Sequence, residues 1–352
     1  MKTKVLKAIV IGSGFGGIAS ALRLNKLGFK VTLVERLDTL GGRARVFQKE
    51  GYRHDAGPTV ITAPFLFEEL FELFDKNLSD HLNFVPLDPW YRFYFHDGKI
   101  FDYRPSIEDT NDEIKKFDER DVEGYEKLLN TSKDIFQIGF EKLSDKPFLS
   151  FWEMVKQLPA LLKLKSYLTV SQLVNSKLKN EYLRKAFSIH PLLVGGNPFT
   201  TTSIYALIHY LERKWGVFFC MGGTGKIIHE LEKLMKEKGI EIKKNSDVER
   251  ILIKDNKAKG IIIKDGKEIH ADAVICNADP PTVYKEMLDL PYRKNRLVKP
   301  EKLTQYSMGL FVLFFGSRKK YPTVAHHTIW MAERYKDLLK DIFENKILTD
   351  DF

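Results

Sequence analysis

The stretch KAIVIGSGFGG, residues 7–17, decides the fold of this chain. Its apolar first half is typical of a short buried strand, and the glycines open a segment, residues 15–27, whose apolar and small residues repeat at helical spacing. Gly28 ends this helix, and a second apolar run follows at residues 30–35. A strand, a glycine-rich turn, a helix and another strand make a βαβ unit, so the sequence predicts a parallel sheet.

The glycines of this stretch stand at GxGxxG spacing, as Gly12, Gly14 and Gly17. In this fingerprint the first glycine permits the tight turn, the second lets the backbone approach a pyrophosphate, and the third lets the helix pack closely on the sheet. The helix N-terminus offers N–H groups and a positive dipole end to the phosphates. Because a strand precedes the motif and a helix follows it, a dinucleotide site is favoured over glycines that serve the fold alone.

Glu35 supplies the acidic partner that the fingerprint requires. It follows Gly17 by 18 residues (35 − 17), close to the usual distance of about 20. We expect its carboxylate to accept hydrogen bonds from both ribose hydroxyls of the dinucleotide. Its negative charge disfavours the 2′-phosphate of NADP.

Two features favour FAD over NAD as this dinucleotide. The motif begins almost at the first residue, so the dinucleotide unit starts the fold. Residues 41–45, GGRAR, then place a glycine turn before guanidinium groups that can bind pyrophosphate oxygens bidentately. Taken alone, these five residues are interpreted equally well as an ordinary turn in a solvated loop.

Composition limits the classes of protein to which the chain can belong. The 352 residues are 43% hydrophobic and 29% charged, which is typical of globular chains and allows about two domains. The net charge of +9 suits an anionic partner or a lysine-rich solvated surface, but no nucleic-acid motif accompanies it, so we expect no nucleic-acid partner. Cys220 and Cys276 lack CxxC spacing, and we expect neither a disulfide framework nor a metal site.

Membrane-spanning and export signals are not found in the sequence. No apolar run reaches the ~18 residues that a spanning helix needs. The apolar run after Lys7 stops at Gly12, which is too early for a signal peptide. The sequence therefore favours a cytoplasmic protein.

Periodicity and turn signals predict the remaining elements. They are an amphipathic helix at 64–74, a hairpin at 91–103 around Asp97-Gly98, a helix at 121–151, a helix from Gly222-Gly223 to Lys238, a β-meander at 241–273, a buried strand at 273–276 and an apolar strand at 307–316. Residues 151–185 differ from these in that aromatic residues and leucines alternate irregularly with lysines.

Four motifs together resemble the flavin-dependent amine oxidase and phytoene desaturase superfamily. They are residues 10–17, residues 34–36 (VER), residues 41–44 (GGRA) and residues 55–59 (DAGPT). The block at 190–223 narrows the resemblance to the bacterial-type phytoene desaturases, which act on C30 and C40 carotenoid precursors. Residues 276–280 (CNADP) and 326–329 (HHTI) are similar to that family as well.

The resemblance implies an α/β fold with a Rossmann-like FAD-binding domain of the amine oxidase type. It further implies an α+β substrate domain and a helical subdomain that contacts a membrane. We expect the FAD-binding domain at residues 1–75 and 215–300, and the substrate domain at 76–214 and 301–352. Family members normally continue past the position of Phe352 with a glycine-rich segment that contacts the flavin. We therefore expect the chain to lack this C-terminal part, which leaves its activity on its own in question.

The resemblance also implies which residues bind the cofactor, with Gly57 to Thr59 passing under the flavin and Val248 meeting the adenine. The expected cofactor-binding residues are Gly12, Gly14, Gly17, Glu35, Arg36, Gly42, Arg43, Gly57, Pro58, Thr59 and Val248. No catalytic residue is assigned. The candidates, which we interpret as structural because none has a partner at diagnostic spacing, are Asp55, His190, His209 and His326.

The activity that the resemblance implies is FAD-dependent desaturation of a phytoene-like polyene, with hydride transfer to the flavin. Other flavoproteins of the superfamily remain alternatives: a carotene isomerase, a retinol saturase type or an amine oxidase. A non-catalytic lipid-binding protein of the Rab GDP-dissociation inhibitor kind is disfavoured, because the phosphate-binding glycines and Glu35 are intact.

A polyene substrate implies a membrane partner, since such a hydrocarbon has negligible solubility in water. The aromatic, leucine and lysine residues of 151–185 suit an interfacial surface on the inner face of the cell membrane. A helical cap that packs on the core with solvated lysines is the alternative for this segment.

Overall fold

A computed structural model describes residues 5–143, 162–289 and 306–349, together with positions 152, 155, 156 and 159. Its strands are β1 (Lys7–Ile11), β2 (Lys30–Val34), β3 (Val46–Lys49), β4 (Tyr52–Asp55), β5 (Phe84–Pro86), β6 (Tyr91–Phe95), β7 (Ile100–Tyr103), β8 (Phe218–Cys220), β9 (Glu241–Lys243), β10 (Val248–Lys254), β11 (Lys257–Ile263), β12 (Glu268–His270), β13 (Ala273–Cys276) and β14 (Thr328–Met331). Its α-helices are α1 (Phe15–Lys26), α2 (Phe65–Glu72), α3 (Ile107–Lys115), α4 (Asp121–Gly139), α5 (Val170–Asn175), α6 (Glu181–Phe187), α7 (His190–Leu193), α8 (Leu207–Trp215), α9 (Thr224–Glu237), α10 (Pro280–Thr282) and α11 (Tyr335–Lys340).

The chain divides into two compact units, each built from two separate stretches of sequence. The first unit comprises Met1–Val85 and Phe218–Gln305, and the second comprises Pro86–Val217 and Tyr306–Phe352. The expected borders at residues 75, 214 and 300 lie within ten residues of these borders (85 − 75 = 10). The assignment of FAD to one unit and of substrate to the other stays a prediction.

The first unit contains a four-stranded parallel sheet in the order β13-β1-β2-β9. Because side chains alternate along a strand, the residues of β1 pack into two hydrophobic cores, one on each face of the sheet. Val10 packs on one face in a cluster that includes Ile18 of α1 and Ile227 of α9. Ile9 and Ile11 pack on the other face, in a cluster that includes residues of β10 and β11. The predicted βαβ unit and parallel sheet are thus confirmed, with helices on one face and the antiparallel sheet β10-β11-β12 on the other.

The prediction of a single meander at 241–273 is wrong at its beginning. Glu241–Lys243 pairs in parallel with β2, and the antiparallel sheet starts only at Val248. The backbone changes direction between the two at Asn245, whose φ of 53° lies in the left-handed region. The density of β-branched residues is the same on both sides of this turn, so composition could not separate the two sheets.

The second unit contains the predicted hairpin around Asp97-Gly98. Strands β6 and β7 pair antiparallel, and β14 joins β6 in parallel, which gives the order β14-β6-β7. Aromatic side chains fill the core beside this sheet, and Tyr91, Phe101 and Phe187 are buried. The hairpin prediction is confirmed because alternating aromatic residues give both strands a buried face.

Two predictions for the second unit need correction. The helix expected at 121–151 ends at Gly139, where the N–H groups of Phe140 and Glu141 both donate to the carbonyl of Phe136. Residues 144–151 lie outside the described part of the chain. The apolar run at 307–316 forms no strand among the described residues, and Leu310 and Phe311 are 80% and 90% exposed. An apolar run becomes a strand only where a neighbouring strand accepts its backbone hydrogen bonds, and the described residues place none beside it.

In the described residues, no helix is both long and apolar enough to cross a bilayer.

Candidate cofactor-binding site

The site begins at the turn between β1 and α1. Gly12 has a φ of +89° and its N–H donates to the carbonyl of Val34 at 2.8 Å, which ties the turn to the end of β2. Gly14 is the residue before α1, and the first bond of the helix runs from the N–H of Ile18 to the carbonyl of Gly14. The N–H groups that precede Ile18 are therefore those that a helix N-terminus presents to an anion.

Two fingerprint glycines and Gly42 lie close to neighbouring groups. A Cβ on Gly17 would overlap the carbonyl oxygen of Gly12, so this glycine lets α1 lie against the turn. A Cβ on Gly14 would lie 3.1 Å from Nδ2 of Asn277. A Cβ on Gly42 would lie 3.1 Å from Cα of Gly14, which brings the second glycine motif against the first.

Glu35 directly follows β2 and is 5% exposed. Its Oε2 accepts hydrogen bonds from the backbone N–H of Ser13 at 3.0 Å and from the Ser13 hydroxyl at 2.5 Å. Its Oε1 accepts from the N–H of Leu37 at 3.0 Å. A carboxylate has about four lone-pair sites, so about one remains for a ligand. The protein thus already uses three acceptor positions of Glu35, and the expectation that it accepts from both ribose hydroxyls stays a prediction.

The second glycine motif forms a left-handed turn beside this loop. Gly41 and Gly42 have φ of 113° and 56°, and a 3-10 helix runs over Gly42–Ala44. The N–H of Gly41 donates to the Ser13 carbonyl at 3.0 Å and lies 3.2 Å from the Ser13 hydroxyl. Arg43 lies in this turn with its side chain exposed, and Arg36 is exposed as well.

Asp55 anchors the third motif, DAGPT, to the start of α9. Its Oδ2 accepts from the N–H of Thr224 at 2.9 Å, and its Oδ1 accepts from the N–H of Gly225 at 3.0 Å. The hydroxyl of Thr224 also donates to the carbonyl of Pro58. A Cβ on Gly57 would overlap the carbonyl of Arg43, so the motif also lies against the 3-10 turn. Pro58 is exposed and Thr59 is half-buried.

Val248 begins β10, which is an edge strand of its sheet in the described residues. Its side chain is 6% exposed and belongs to the same core cluster as Ile11 and Val34, at the ends of β1 and β2. Just before it, the N–H of Ser246 donates to the carbonyl of Glu35 at 2.9 Å. The backbone at Val248 is thereby held near the carboxylate that faces the ribose in the fingerprint.

Two histidines considered for catalysis lie together in the core of the second unit. His190 Nε2 lies 3.1 Å from Glu212 Oε2, and the Tyr91 hydroxyl donates to Glu212 Oε1 at 2.8 Å. His209 Nε2 lies 2.9 Å from the carbonyl of Phe187, and burial lowers the pKa of His209 well below its usual value. Both histidines and Glu212 are at most 2% exposed.

His326 lies beside His327, with 2.9 Å between their Nδ1 atoms. Burial lowers the pKa of His326, and it lowers the pKa of His327 to about 4, so both imidazoles are neutral at physiological pH. Asp55, the fourth candidate, is used as a helix cap. No group of metal ligands occurs in the described residues.

The residues present fit the adenosine diphosphate half of a dinucleotide. The site combines a helix N-terminus, glycines whose Cβ atoms would meet neighbouring groups, and a buried carboxylate that can accept a further hydrogen bond. The cofactor-binding residues expected from the sequence include neither Ser13, which is buried and holds Glu35, nor Asn277, which faces Gly14. Ser13 occupies a variable position of the fingerprint. Asn277 stands 260 residues after the last glycine (277 − 17), and its one signal is the resemblance of the CNADP block to the family.

Comparison with known proteins identifies the family. A family model described as flavin containing amine oxidoreductase matches residues 15–340. A phytoene desaturase (lycopene-forming) from Pseudescherichia vulneris is 44% identical over 347 residues, which cover 98% of this chain and 70% of the relative. A phytoene desaturase (lycopene-forming) from Pantoea ananas is 41% identical, over 97% of this chain and 70% of the relative.

Solved structures agree on the fold. A fatty acid isomerase from P. acnes superposes with a TM-score of 0.56 at 17% identity, over 82% of this chain and 62% of that one. Its likeness concerns the fold alone. The sequence matches confirm the resemblance seen in the motifs, and a flavin is the cofactor by which the matched family is described. The chain therefore belongs to the flavin containing amine oxidoreductase family, and to the phytoene desaturases within it.

Proposed function

We propose that this chain is an FAD-dependent desaturase of a phytoene-like polyene in carotenoid biosynthesis. The observation that carries the proposal is the joining of three motifs into one surface, in a chain that is 44% identical to a phytoene desaturase. The glycine loop contacts the Gly42 turn, and the Gly42–Ala44 helix contacts Gly57 of the DAGPT motif. Each of these motifs belongs to the expected cofactor site.

FAD is the flavin that this surface suits best. The fingerprint glycines and Glu35 form the kind of site that holds an adenosine diphosphate group. FMN lacks that group, whereas FAD carries both the flavin that the family requires and the adenosine diphosphate half. The two requirements together support FAD.

The chain's own residues bind and orient in this proposal. When bound, FAD supplies the two-electron oxidant that accepts a hydride, which no protein side chain can do. The start of α1 and the loop from Gly12 to Gly17 hold the pyrophosphate, with Arg43 exposed beside them. Glu35 offers one acceptor position to the ribose, and the backbone at Val248 meets the adenine. The Gly57 to Thr59 stretch, fixed through Asp55, supports the ring.

The substrate proposal brings a membrane partner with it. A polyene hydrocarbon must be taken from a bilayer. The described positions of residues 151–185 include exposed apolar side chains. Trp152, Leu162 and Tyr167 are 71%, 55% and 67% exposed, and lysines at 156, 163 and 165 stand among them. Apolar groups beside lysines suit the surface of an anionic leaflet, here the inner face of the cell membrane.

Vesicle flotation tests this partner. We expect the chain to float with anionic vesicles at low salt and to be released by high salt, because lysine attraction is screened. A chain that ignores anionic vesicles at low salt contradicts the membrane proposal and leaves the flavin proposal untouched.

Expression in cells that accumulate phytoene tests the activity. Two forms are compared: the chain itself, and a chimera in which the chain replaces the matching 70% of the Pseudescherichia vulneris relative. We expect a bound-flavin absorption spectrum and coloured desaturated products from the chimera. A flavin-loaded chimera that leaves phytoene unchanged, beside a fully active P. vulneris control, contradicts the proposal.

A further inference from the structure

Helix α1 contains a glycine that the fingerprint does not require. Gly16 occupies one of the variable positions of GxGxxG and is the second residue of the helix. Its φ does not lie in the left-handed region, so an alanine could adopt the same backbone conformation. Alanine is also the better helix former. Gly16 therefore needs a reason outside its own backbone.

That reason is the side chain of Asn277. A Cβ on Gly16 would lie 2.6 Å from Asn277 Oδ1, which is closer than real Cβ atoms approach. Asn277 directly follows β13, and its N–H donates to the carbonyl of Ile11 at 2.9 Å. This bond continues the register in which Cys276 pairs with Ile11, so the Asn277 side chain is placed over the glycine loop.

The same amide also faces the glycine that lets a pyrophosphate approach. Asn277 Nδ2 lies 3.1 Å from the position that a Gly14 Cβ would take, and the residue is exposed. An amide nitrogen donates two hydrogen bonds, and a phosphate oxygen accepts them readily. A neutral donor at this point adds to the N–H groups of α1 without introducing a charge that Glu35 would attract.

We propose that the Asn277 side-chain amide binds a phosphate oxygen of the dinucleotide, and that Gly16 lacks a side chain to make room for it. This inference rests on the proposed FAD function. Asn277, which follows the edge strand β13, is then a phosphate-binding residue. Gly16 determines whether the Asn277 amide can take this position. The pair is expected to act as one unit.

Ligand titration of the purified chain tests the inference without any measurement of turnover. The probes are FAD, followed by quenching of its fluorescence, and ADP and adenosine, followed by calorimetry. Asn277→Ala should weaken FAD and ADP about tenfold and leave adenosine unchanged, because only the first two carry a pyrophosphate. Asn277→Asp, of the same shape but negatively charged, should weaken FAD and ADP further. Asn256→Asp, in the turn between β10 and β11, is the matched control and should change nothing.

Gly16→Ala should reproduce the loss seen with Asn277→Ala, since its methyl group displaces the amide. In the double variant the two losses should not add, because the obstructed group has already been removed. Thermal melting of each variant shows that it is folded. Equal losses for adenosine and ADP, or an Asn277→Asp variant that binds FAD as well as the unmodified chain, would overturn the inference. An unmodified chain that binds neither FAD nor ADP overturns the proposed function and the inference together.

Discussion

Helices α1 and α9 begin in the same way but use their N-termini differently. Both follow glycines in the left-handed region: Gly12 before α1, and Gly222 and Gly223 before α9, with φ of 87° and 79°. At α9 the protein supplies the anion, since both oxygens of Asp55 accept from the first two N–H groups. At α1 the nearby carboxylate, Glu35, is bonded to Ser13 and Leu37 instead.

The difference separates a structural helix start from a binding one. A helix N-terminus favours negative charge wherever it occurs, so the glycine pattern alone does not say what fills it. Asp55 fills the first turn of α9 and fixes the DAGPT motif. Among the described residues, no carboxylate accepts from the first turn of α1, which is why we propose it for phosphate. Substitutions at the two helix starts should therefore separate folding from binding.

Gly17→Ala should have the largest effect on folding. The added methyl group overlaps the carbonyl of Gly12, which is backbone and cannot rotate away. We expect a loss of about 3 kcal/mol in the free energy of unfolding, measured with denaturant. Gly139→Ala, at a helical glycine with only ordinary contacts at 3.6 Å and 3.8 Å, is the control and should be neutral or stabilising. A Gly17→Ala chain as stable as this control would show that α1 can move off the turn.

Asp55→Ala should come next. It leaves two N–H groups of α9 without an acceptor, and hydrogen bonds to a charged group are among the stronger ones, so we expect a loss of about 2–3 kcal/mol. Asp55→Asn retains one acceptor oxygen and should recover part of the lost free energy of unfolding. Asp38→Ala, at an exposed position, should stay within about 0.5 kcal/mol. Denaturant midpoints that do not separate Asp55→Ala from Asp38→Ala would refute the capping role.

Thr224→Val should have a smaller effect of the same kind. It removes the hydroxyl that donates to Pro58 while keeping the shape of a side chain that is 2% exposed. We expect about 1 kcal/mol, from the same denaturant curves. Thr131→Val, at a half-buried position of α4, removes a hydroxyl that bonds within its own helix and should change little. Identical denaturation curves for the two valine variants would show that the hydrogen bond from Thr224 to Pro58 does not stabilise the fold.

Gly14→Ala should barely affect folding, within about 0.5 kcal/mol. Its φ of −63° suits alanine, and the methyl group would meet only the end of the Asn277 side chain, at 3.1 Å. The same methyl group should obstruct the pyrophosphate, so we expect FAD affinity to fall by more than tenfold in fluorescence titration. Unchanged affinity in this variant would mean that the dinucleotide does not lie over Gly14.

The sequence predicted what depends on neighbouring residues. The βαβ unit, the hairpin around Asp97-Gly98 and the glycine fingerprint all have short-range signals, and the structure contains each of them. The bonds of Asp55 to Thr224 and Gly225 join positions 169 and 170 residues apart, and no local pattern announces such a pair. Likewise the parallel pairing of Glu241–Lys243 depends on the free edge of β2, which the residues themselves do not encode.

Because β1 pairs with β13, the parts of the site form at different times during synthesis. Ile11 pairs with Cys276, 265 residues later (276 − 11). A ribosome adds about 5–20 residues per second, so the loop from Gly12 to Gly17 emerges about 13 to 52 seconds before the strand and the Asn277 amide that complete its surroundings. During that interval the nascent chain contains the glycine loop without β13 and Asn277 beside it. The surroundings of the glycine loop are therefore complete only late in synthesis, although the loop itself is among the first segments to leave the ribosome.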